Sequence, residues 1–536
     1  MIRTPMHDYA RCHVAFRWAL PETFNFAADV VDAWAADPAK LALLWCDESG
    51  REERYTFADM SRLSARFANV LAARGIGKGD RVLVMLPRIP QWQVAMTGCL
   101  RAGAIPIPCV EMLTPKDVAY RLGHSGAVAV VTTAASVSKV DPATPLRLRL
   151  SVGAAAGWDT FADAMDAAAA VFAPATMAIE DPAVIYYTSG STGDPKGVTH
   201  AARGLYTWRV SSWYWQGLTE RDLIWCTADT GWSKAGTSIL FAPWSCGAAV
   251  LFHDGRFDAR RRFELLERHR VTVFCAAATE LRRLVLEEVG GFDLSALRLT
   301  LSAGELVNPE IVRRWREVVG GPVLDGYGQT ETLMTVLNYE PMPVKPGSMG
   351  RPLPGTDVAI LDSDDRLLPR GASGRLVVKL PNPQLMLGYW NDPQRTADTR
   401  IVVDGVEYFI SGDMARIDAD GYVFYEGRAD DVINSAGYRI GPMEVENALM
   451  EHPAVQECAA VASPDPERGE VVKAFVVLKP GHVASAALAQ ELQAHAKRVT
   501  APYKYPRRIA FVDDLPKTVS GKLRRRLLRD QEFGVA

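Results

Sequence analysis

Short apolar runs alternate with helical patterns along roughly the first half of the chain. Residues 81–86 and 128–132 are apolar or β-branched runs typical of buried strands. Residues 56–74 and 91–103 carry apolar side chains at helical spacing. This alternation of strand and helix predicts an α/β unit with parallel strand pairing.

The same alternation continues farther along the chain. The predicted strands are 223–227, 248–252, 271–275 and 297–302, and the predicted helices are 260–269 and 279–288. The later strands end in small residues, and ligands of such sheets bind beyond the carboxyl ends of the strands. We therefore predict two α/β subdomains with a ligand site at their strand ends. A helical pattern at 24–36 precedes them, and residues 136–177 give little signal.

The pattern changes near residue 347. Residues 347–428 contain short strands and turns rich in Gly and Asp, which predicts a small β-barrel. Residues 442–451 then have a helical pattern, 471–478 a strand pattern and 484–498 a helical pattern. We place a domain boundary at Asp430, which predicts a large domain of residues 1–429 and a small α/β domain of residues 430–536.

One loop between the two predicted subdomains suggests chemistry. The apolar strand 183–187 leads into Thr188-Ser-Gly-Ser-Thr-Gly-Asp-Pro-Lys-Gly197, a loop of small and hydroxyl residues followed by Lys196. Hydroxyl donors, an accessible backbone and one cation suit a polyphosphate. The spacing differs from that of a Walker loop. A flexible linker is the alternative, but linkers seldom follow a buried strand.

Composition narrows the class of protein. The chain has 536 residues, of which 48% are hydrophobic and 23% charged, and its formal net charge is −3. These values are typical of a globular protein and argue against general nucleic-acid binding. The eight cysteines are scattered without a C-x-x-C pair, which fits a reducing compartment. No uncharged apolar run reaches the roughly 18 residues of a membrane helix, so we expect a cytoplasmic protein without a membrane span.

Further motifs follow the phosphate-type loop. Asp325-Gly-Tyr-Gly-Gln-Thr-Glu-Thr332 combines a tight turn, an aromatic ring for a flat base, and Glu331 as an oxygen ligand for Mg²⁺. Ser411-Gly-Asp413 adds a carboxylate and Gly427-Arg428 adds a cation farther along the chain. Pro516-Lys-Thr-Val-Ser-Gly-Lys522 precedes a basic segment, in which Arg524, Arg525 and Arg526 are expected to be solvated charges.

Together these motifs resemble those of the adenylate-forming (ANL) superfamily. By this resemblance, Asp413 and Arg428 match the ribose site, and Ser302-Ala-Gly-Glu-Leu306 matches the strip of backbone that flanks the adenine. The resemblance covers about residues 24–529 and is nearest to medium-chain acyl-CoA synthetases. The stretches that match these synthetases are Asp229-Thr-Gly-Trp232, Gly437-Tyr-Arg-Ile-Gly441, Ser463-Pro-Asp-Pro466 with Arg468-Gly-Glu-Val-Val-Lys-Ala-Phe475, and Ala501-Pro-Tyr-Lys-Tyr-Pro506. One departure is Cys275-Ala-Ala-Ala278, where relatives usually have a proline; it leaves the shape of the acyl pocket open.

The resemblance implies a role for each matching residue. The implied catalytic residues are Lys522, Thr188 and Glu331, with Glu331 also the metal ligand. The implied nucleotide-binding residues are Thr188, Ser189, Gly190, Ser191, Thr192, Gly193, Lys196, Gly304, Glu305, Leu306, Asp325, Gly326, Tyr327, Gly328, Gln329, Thr330, Asp413, Arg428 and Lys522. The implied CoA-binding residues are Ala436, Gly437, Tyr438, Arg439, Arg468 and Tyr503. The implied acyl pocket contains Trp232, Gly304 and Gly328, with Gly231 and Gly236 leaving further room, and the implied hinge is Asp430.

The implied reaction is the activation of a medium-chain carboxylic acid. ATP converts the acid into an acyl-adenylate, and CoA then takes the acyl group and releases AMP. ATP, CoA and Mg²⁺ are the expected substrates and cofactor. A related hypothesis is that acylation of Lys522 by a modifying enzyme switches the protein off, because it removes the charge of the lysine. The protein is also compatible with an oligomer.

Four alternatives are weighed against this interpretation. A benzoate-type aryl acid or branched-chain acid:CoA ligase would differ only in the shape of its pocket. A peptide-synthetase loading domain is disfavoured because no carrier segment follows residue 536. A catalytically inactive nucleotide-binding regulator would be expected to lack Lys522 or Glu331, and both are present. An interaction protein that uses its basic tail would not need the nucleotide motifs.

Overall fold

The computed structural model of the protein describes residues 6, 8–188, 194–305, 307–428, 431, 433–435, 438–466, 468–500, 504–517 and 523–534. For residues 434, 438 and 439 it describes the backbone alone.

Helices occur throughout the described chain. They are α1 (Tyr9–Ala15), α2 (Phe57–Ala72), α3 (Pro90–Ala102), α4 (Pro115–Ser125), α5 (Phe161–Ala167), α6 (Ala202–Tyr214), α7 (Ser233–Ser238), α8 (Phe241–Ser245), α9 (Ala259–Arg268), α10 (Ala278–Leu284), α11 (Pro309–Val319), α12 (Pro393–Ala397), α13 (Pro442–Met450), α14 (Ala486–Val499) and α15 (Arg525–Glu532). Ala27–Asp32 is π-helical and Val137–Lys139 forms a 3₁₀ turn.

The strands of the described residues fall into four sheets. They are β1 (Leu41–Asp47), β2 (Glu52–Thr56), β3 (Arg81–Met85), β4 (Ile105–Pro108), β5 (Ala129–Thr133), β6 (Leu148–Val152), β7 (Asp159–Thr160), β8 (Pro182–Thr188), β9 (Lys196–Ala201), β10 (Leu223–Cys226), β11 (Ala249–Asp254), β12 (Val273–Cys275), β13 (Leu299–Ala303), β14 (Val323–Gln329), β15 (Leu333–Leu337), β16 (Ser348–Pro352), β17 (Val358–Leu361), β18 (Ser373–Lys379), β19 (Gly388–Tyr389), β20 (Arg400–Val403), β21 (Val406–Ile417), β22 (Val423–Arg428), β23 (Ile433–Ser435), β24 (Tyr438–Ile440), β25 (Val455–Asp465), β26 (Gly469–Leu478) and β27 (Arg508–Phe511).

Local sequence explains where several helices begin. At α2 the hydroxyl of Thr56 accepts a hydrogen bond from the N–H of Asp59, and the Asp59 carboxylate accepts the N–H of Thr56 in return. Thr114 and Asp117 form the same reciprocal cap at α4. These caps satisfy N–H groups that lack partners within the helix.

The two predicted α/β subdomains are present. One contains the parallel sheet β4-β3-β5-β6-β7. The other contains the parallel strands β1, β11, β10, β12, β13 and β14, in that order. Strands β8 and β9 form a small antiparallel sheet with β19, which comes from much farther along the chain.

Residues 348–428 are rich in β-structure, as the sequence predicts. Their strands β16, β17, β18, β20, β21 and β22 pair antiparallel. Strand β15 joins them to β14, so that hydrogen bonds among the described residues connect fourteen strands in one sheet. The antiparallel strands therefore continue the edge of the α/β sheet where β14 ends.

The small C-terminal domain has its own sheet and core. Its strands follow the order β24-β23-β26-β25, and β27 pairs parallel with β26. Helices α13 and α14 cover the sheet with Leu449 and Leu492, which are fully buried.

Some elements escaped sequence analysis. The pattern does not predict strands β1, β2, β9 and β25 or helices α6 and α11. Residues 136–177, which give little signal, contain β6, β7 and α5. The predicted helix 279–288 ends at Leu284, where α10 stops and Leu286 is exposed. Among the described residues, no helix is long and apolar enough to cross a membrane.

Candidate functional site

The phosphate-type loop connects the two strands of a hairpin. Thr188 ends β8 and pairs directly with Lys196, which begins β9. The residues between them that were assigned to the site, Ser189, Gly190, Ser191, Thr192 and Gly193, lie outside the described residues. The hairpin therefore places the hydroxyl of Thr188 and the ammonium of Lys196 at one end of the antiparallel pair.

Lys196 belongs to a polar cluster with Tyr389 and Glu331. The Lys196 ammonium lies 4.9 Å from the centre of the Tyr389 ring, and the Tyr389 hydroxyl donates to Glu331 Oε1 at 2.9 Å. Burial lowers the pKa of Lys196, and the Glu331 carboxylate opposes this shift. The Lys196 ammonium and the Glu331 carboxylate thus lie close together, at the end of the hairpin where β9 begins.

Thr330 is held from two sides. Its hydroxyl lies 3.1 Å from Ser233 Oγ, and its carbonyl oxygen lies 2.6 Å from His200 Nε2. Burial lowers the pKa of His200 to about 4, so that the imidazole is neutral at pH 7. Because its partner is a carbonyl oxygen, Nε2 carries the proton and donates it.

A buried carboxylate organises the predicted ribose site. Asp413 Oδ2 accepts from the Tyr327 hydroxyl at 2.5 Å and from Gln329 Nε2 at 2.6 Å, and Oδ1 accepts from Arg428 Nη1 at 3.1 Å. Burial raises the pKa of Asp413, and the Arg428 charge opposes this shift. Burial, strengthened by the nearby Asp413 charge, raises the pKa of Tyr327 well above its usual value, so that the phenol remains a donor.

Asp325 lies at the predicted site but is turned inward. Its carboxylate is buried and accepts the N–H groups of Val307 and Gly326, at 3.3 and 2.9 Å. Burial raises its pKa to about 7. The side chain fixes the turn that carries Gly326 to Gly328, and both of its oxygens have backbone partners.

The predicted adenine strip follows β13. Gly304 has a φ of +92°, and a side chain there would meet nothing within 4 Å. The Glu305 carboxylate accepts the N–H of Thr279 at 3.3 Å, and Lys234 Nζ donates to the carbonyl of Ala303 at 3.0 Å. The strip is therefore anchored on both sides, and the backbone at Gly304 is open to a ligand.

The expectation that other glycines leave open space for an acyl chain needs correction. A Cβ at Gly328 would lie 2.0 Å from the Leu333 carbonyl oxygen, and one at Gly231 would lie 2.3 Å from the Val110 nitrogen. A Cβ at Gly236 would lie 2.9 Å from side-chain atoms of its neighbours. These glycines permit close packing. Trp232 is half-buried and precedes α7.

The C-terminal assignments are described only in part. In the β23–β24 hairpin Ser435 pairs with Tyr438 and residue 434 with Arg439. Arg468 is exposed, and its N–H donates to Asp465 Oδ1 at 3.1 Å. Six further assigned residues lie outside the described residues: Leu306, Asp430, Ala436, Gly437, Tyr503 and Lys522.

One basic residue near the C-terminus is placed differently from expectation. Arg525, which was expected to be a solvated charge, instead makes two hydrogen bonds to Glu446, at 2.9 and 2.7 Å. Only 18% of the Arg525 side chain is exposed. It therefore stabilises the small domain by joining α15 to α13.

Comparison with known proteins decides the family. The family model "AMP-binding enzyme" matches residues 30–390, and the model of its C-terminal domain matches residues 444–522. The chain belongs to the AMP-binding enzyme family. The resemblance to adenylate-forming enzymes is therefore confirmed.

Relatives and solved structures of this family cover nearly the whole chain. The human mitochondrial acyl-coenzyme A synthetase ACSM3 is 41% identical over 98% of this chain and 92% of its own length. The benzoate CoA ligase from Burkholderia xenovorans is 32% identical, with a TM-score of 0.84 over 94% of this chain and 100% of that one. An anthranilate CoA ligase in complex with anthranoyl-AMP is 30% identical, with a TM-score of 0.87 over 96% of this chain and 98% of that one. The two-domain α/β fold is therefore that of the family.

Sequence analysis missed several residues of the candidate site. His200, Ser233, Lys234 and Tyr389 each contact a predicted site residue or its strip. Their signal in the sequence was weak, since each is a single polar residue in or beside an otherwise apolar segment. Only Lys234 and Ser233 lie within a stretch already assigned to the acyl pocket.

The neutral state of His200 predicts an acid-sensitive fold. An unfolded histidine takes up a proton near pH 6.5, whereas folded His200 does so only near pH 4. Stability from this group is present above pH 6.5 and is lost as the pH falls towards 4, by roughly 3 kcal/mol in all. In His200→Gln, where the amide can replace Nε2–H, this part of the acid sensitivity should disappear.

The measurement is the apparent Tm of both proteins between pH 4 and pH 7.5. The difference between the two curves is compared, because other groups also titrate in this range. His482→Gln, at an exposed position, is the control and should follow the wild-type curve. Parallel curves for His200→Gln and wild type would contradict the prediction.

Proposed function

We propose that the protein is an AMP-forming acyl-CoA synthetase. The carboxylate of an acid attacks the α-phosphorus of ATP, forming an acyl-adenylate and releasing pyrophosphate. The CoA sulfur then attacks the acyl carbonyl carbon, the thiol gives up its proton, and AMP leaves. The observation that carries this proposal is the buried Asp413 with its donors Tyr327, Gln329 and Arg428, placed beside Thr330 and Glu331 on β14 and its following turn.

Each part of ATP has a matching group in this arrangement. The hydroxyl of Thr188 and the ammonium of Lys196 suit the phosphates, since charge-assisted donors bind phosphate oxygens strongly. Asp413 suits the ribose hydroxyls, and Tyr327 with the open backbone at Gly304 suits the adenine. Lys522 is proposed to neutralise charge on the carboxylate and the α-phosphate as the acyl-adenylate forms.

We propose Mg²⁺ as the metal and Glu331 as its ligand. One oxygen of Glu331 accepts from Tyr389, and the carboxylate lies in a partly exposed turn. Among the described residues no group of three or more His, Cys, Asp or Glu could hold a metal. This fits Mg²⁺, which binds through one or two carboxylates plus substrate phosphates. Bound Mg²⁺ offsets phosphate charge, and activity should be lost with EDTA and restored by Mg²⁺.

The substrate is proposed to be a medium-chain acid. The mitochondrial relatives are named acyl-coenzyme A synthetases of the ACSM group, which the resemblance links to medium-chain acids. An aryl or branched-chain acid is the alternative, favoured by the similarity to benzoate and anthranilate CoA ligases. Pyrophosphate release across acids from acetate to dodecanoate, with benzoate and branched acids, separates the two.

The CoA site is proposed at the small domain, around Arg439, Arg468 and Tyr438, with Ala436, Gly437 and Tyr503. Arg468 is exposed, as a phosphate-binding cation needs to be.

We keep Asp430 as the proposed boundary, because the separate C-terminal sheet begins at Ile433. The cytoplasmic location also stays a prediction, since the mammalian relatives are named as mitochondrial, and cell fractionation would test it.

Substitution of Lys522 should separate the two half-reactions. Lys522→Ala should abolish acyl-adenylate formation, because the developing charge loses its cation, yet thioester formation from supplied acyl-adenylate should continue. Pyrophosphate release and acyl-CoA formation measure the two steps. Equal loss of both would refute this role.

Acetylation of Lys522 removes the same charge and should have the same effect, whereas unchanged activity after stoichiometric acetylation would refute the proposed regulation.

Asp430 is proposed as the hinge about which the small domain rotates between the half-reactions. Asp430→Pro fixes φ at about −65° and should therefore favour one orientation of the small domain. We expect one half-reaction to fall much further than the other in rapid-quench assays of the separate steps. The control is Asp430→Ala, which changes the same position without the ring of proline. Asp404→Pro is unsuitable as a control because Asp404 has a positive φ. Equal effects on both steps would show that the hinge lies elsewhere.

Trp232 is proposed as a wall of the acyl pocket. Each buried methylene contributes about 0.8 kcal/mol, or about fourfold in kcat/KM. Trp232→Ala should therefore shift the preference towards longer or bulkier acids while the KM for ATP stays nearly constant. The control is Trp213→Ala, which removes a different half-buried tryptophan. Trp213 lies on α6. An unchanged ranking of acids would place the pocket elsewhere.

A further inference from the structure

Glu457 joins cations from the two domains. On β25 of the small domain, its Oε1 accepts from Arg282 Nη1 at 3.2 Å and its Oε2 accepts from Lys517 Nζ at 2.8 Å. Arg282 belongs to α10 of the large domain, whereas Lys517 belongs to the small domain. The bond to Arg282 therefore crosses the domain interface, whereas the bond to Lys517 lies within the small domain.

The large-domain end of this bridge lies next to the nucleotide site. Arg282 is on the helix that contains Thr279, whose N–H donates to Glu305. Glu305 follows Gly304, the open position proposed to face the adenine. The helix that anchors the adenine strip thus also holds the small domain.

The small-domain end lies at the base of the segment that carries Lys522. Lys517 forms an antiparallel bridge with Leu523. Residues 518–522, which join these two partners, lie outside the described residues. A group that fixes Lys517 therefore fixes the point at which this segment begins.

We propose that Glu457 is a positioning residue for acyl-adenylate formation. By holding Arg282 and Lys517 together, it keeps the small domain in the orientation that delivers Lys522 to the nucleotide. The proposal rests on the proposed function, since it assumes the role of Lys522 in that step. Rotation of the small domain for thioester formation breaks the bond to Arg282, because Glu457 and Lys517 move together.

The charges make the interface depend on this carboxylate. Side-chain exposure is 30% for Arg282, 15% for Glu457 and 30% for Lys517, so water screens the charges incompletely. Without the Glu457 carboxylate, the Arg282 and Lys517 cations lie opposite each other across the interface. Lys517 retains its ion pair with Asp514 at 3.1 Å, but the Asp514 side chain is 81% exposed and so offsets little of this charge. Removal of the negative charge therefore converts attraction between the domains into repulsion.

The first test compares the half-reactions of Glu457→Gln. Acyl-adenylate formation should fall about tenfold, while thioester formation from supplied acyl-adenylate should stay within about twofold of wild type. Glu407→Gln, which removes one exposed charge paired with Arg400, is the matched control and should change neither step. An equal loss of both steps in Glu457→Gln, or a loss in neither, would overturn the proposal.

A second set of variants separates charge from packing. Arg282→Lys keeps a cation and should retain most adenylation activity, whereas Arg282→Met should lower it. In the double variant Arg282→Met/Glu457→Gln the repulsion is absent, so adenylation should be no slower than in Glu457→Gln alone. Additive losses would show that the residues merely stabilise their own domains, and would refute the charge mechanism.

A measurement of domain orientation does not depend on activity. Val402 and Val483 are 67% and 80% exposed and lie in different domains, and the eight native cysteines are buried, so Val402→Cys/Val483→Cys accepts two spin labels selectively. Glu457→Gln should broaden or shift the distance distribution from pulsed electron spin resonance, and Glu407→Gln should not. An unchanged distribution would overturn the proposal. If wild type activated no acid, the proposed function would fail, whereas the distances would still report on Glu457.

Discussion

The buried carboxylate of Asp413 is the constraint on which the geometry of the site depends. A carboxylate removed from water is costly unless its oxygens are satisfied, and here three donors surround it. Tyr327 and Gln329 come from β14 of the α/β sheet, whereas Arg428 pairs with Asp413 across β21 and β22. Satisfying this one charge therefore fixes the α/β sheet against the antiparallel strands.

The same network is adapted to a ligand with hydroxyl groups. Asp413 holds more acceptor capacity than its protein donors use, since a carboxylate offers about four lone-pair positions. The Arg428 side chain is 42% exposed, so part of its donor fork remains accessible to solvent. The donors thus hold the Asp413 carboxylate rigidly, whereas the Arg428 guanidinium stays accessible to a ligand, as binding of a nucleotide requires.

The turn after β14 is held by residues that come from distant parts of the chain. His200 supports Thr330 across 130 positions, and Tyr389 supports Glu331 across 58. Neither supporting residue is charged at neutral pH, because burial lowers the pKa of His200 and raises that of Tyr389. Neutral supports leave Lys196 and Arg428 as cations beside the carboxylates of Glu331 and Asp413, and the two cations suit a ligand that carries phosphates.

The sequence by itself determined the chemistry and the order of the elements. Periodicity predicted both α/β subdomains, and the spacing of small, hydroxyl and charged residues around Thr188, Glu331 and Asp413 indicated a nucleotide site of the adenylate-forming type. These features are local, because strand and helix periodicity and loop composition act over a few residues. The family was therefore predictable from the chain alone.

Only the tertiary structure decided which residues meet and how much room they leave. His200, Ser233 and Tyr389 carry no local signal, and they became site residues because the packing of separate elements brought them to the turn after β14. Gly328, which was expected to leave space, lies against the backbone of Leu333, and Arg525, which was expected in solvent, is buried against Glu446. A glycine permits both an open cavity and close packing, and an arginine suits both solvent and a buried ion pair. The sequence allowed either outcome, and the positions of distant neighbours selected one.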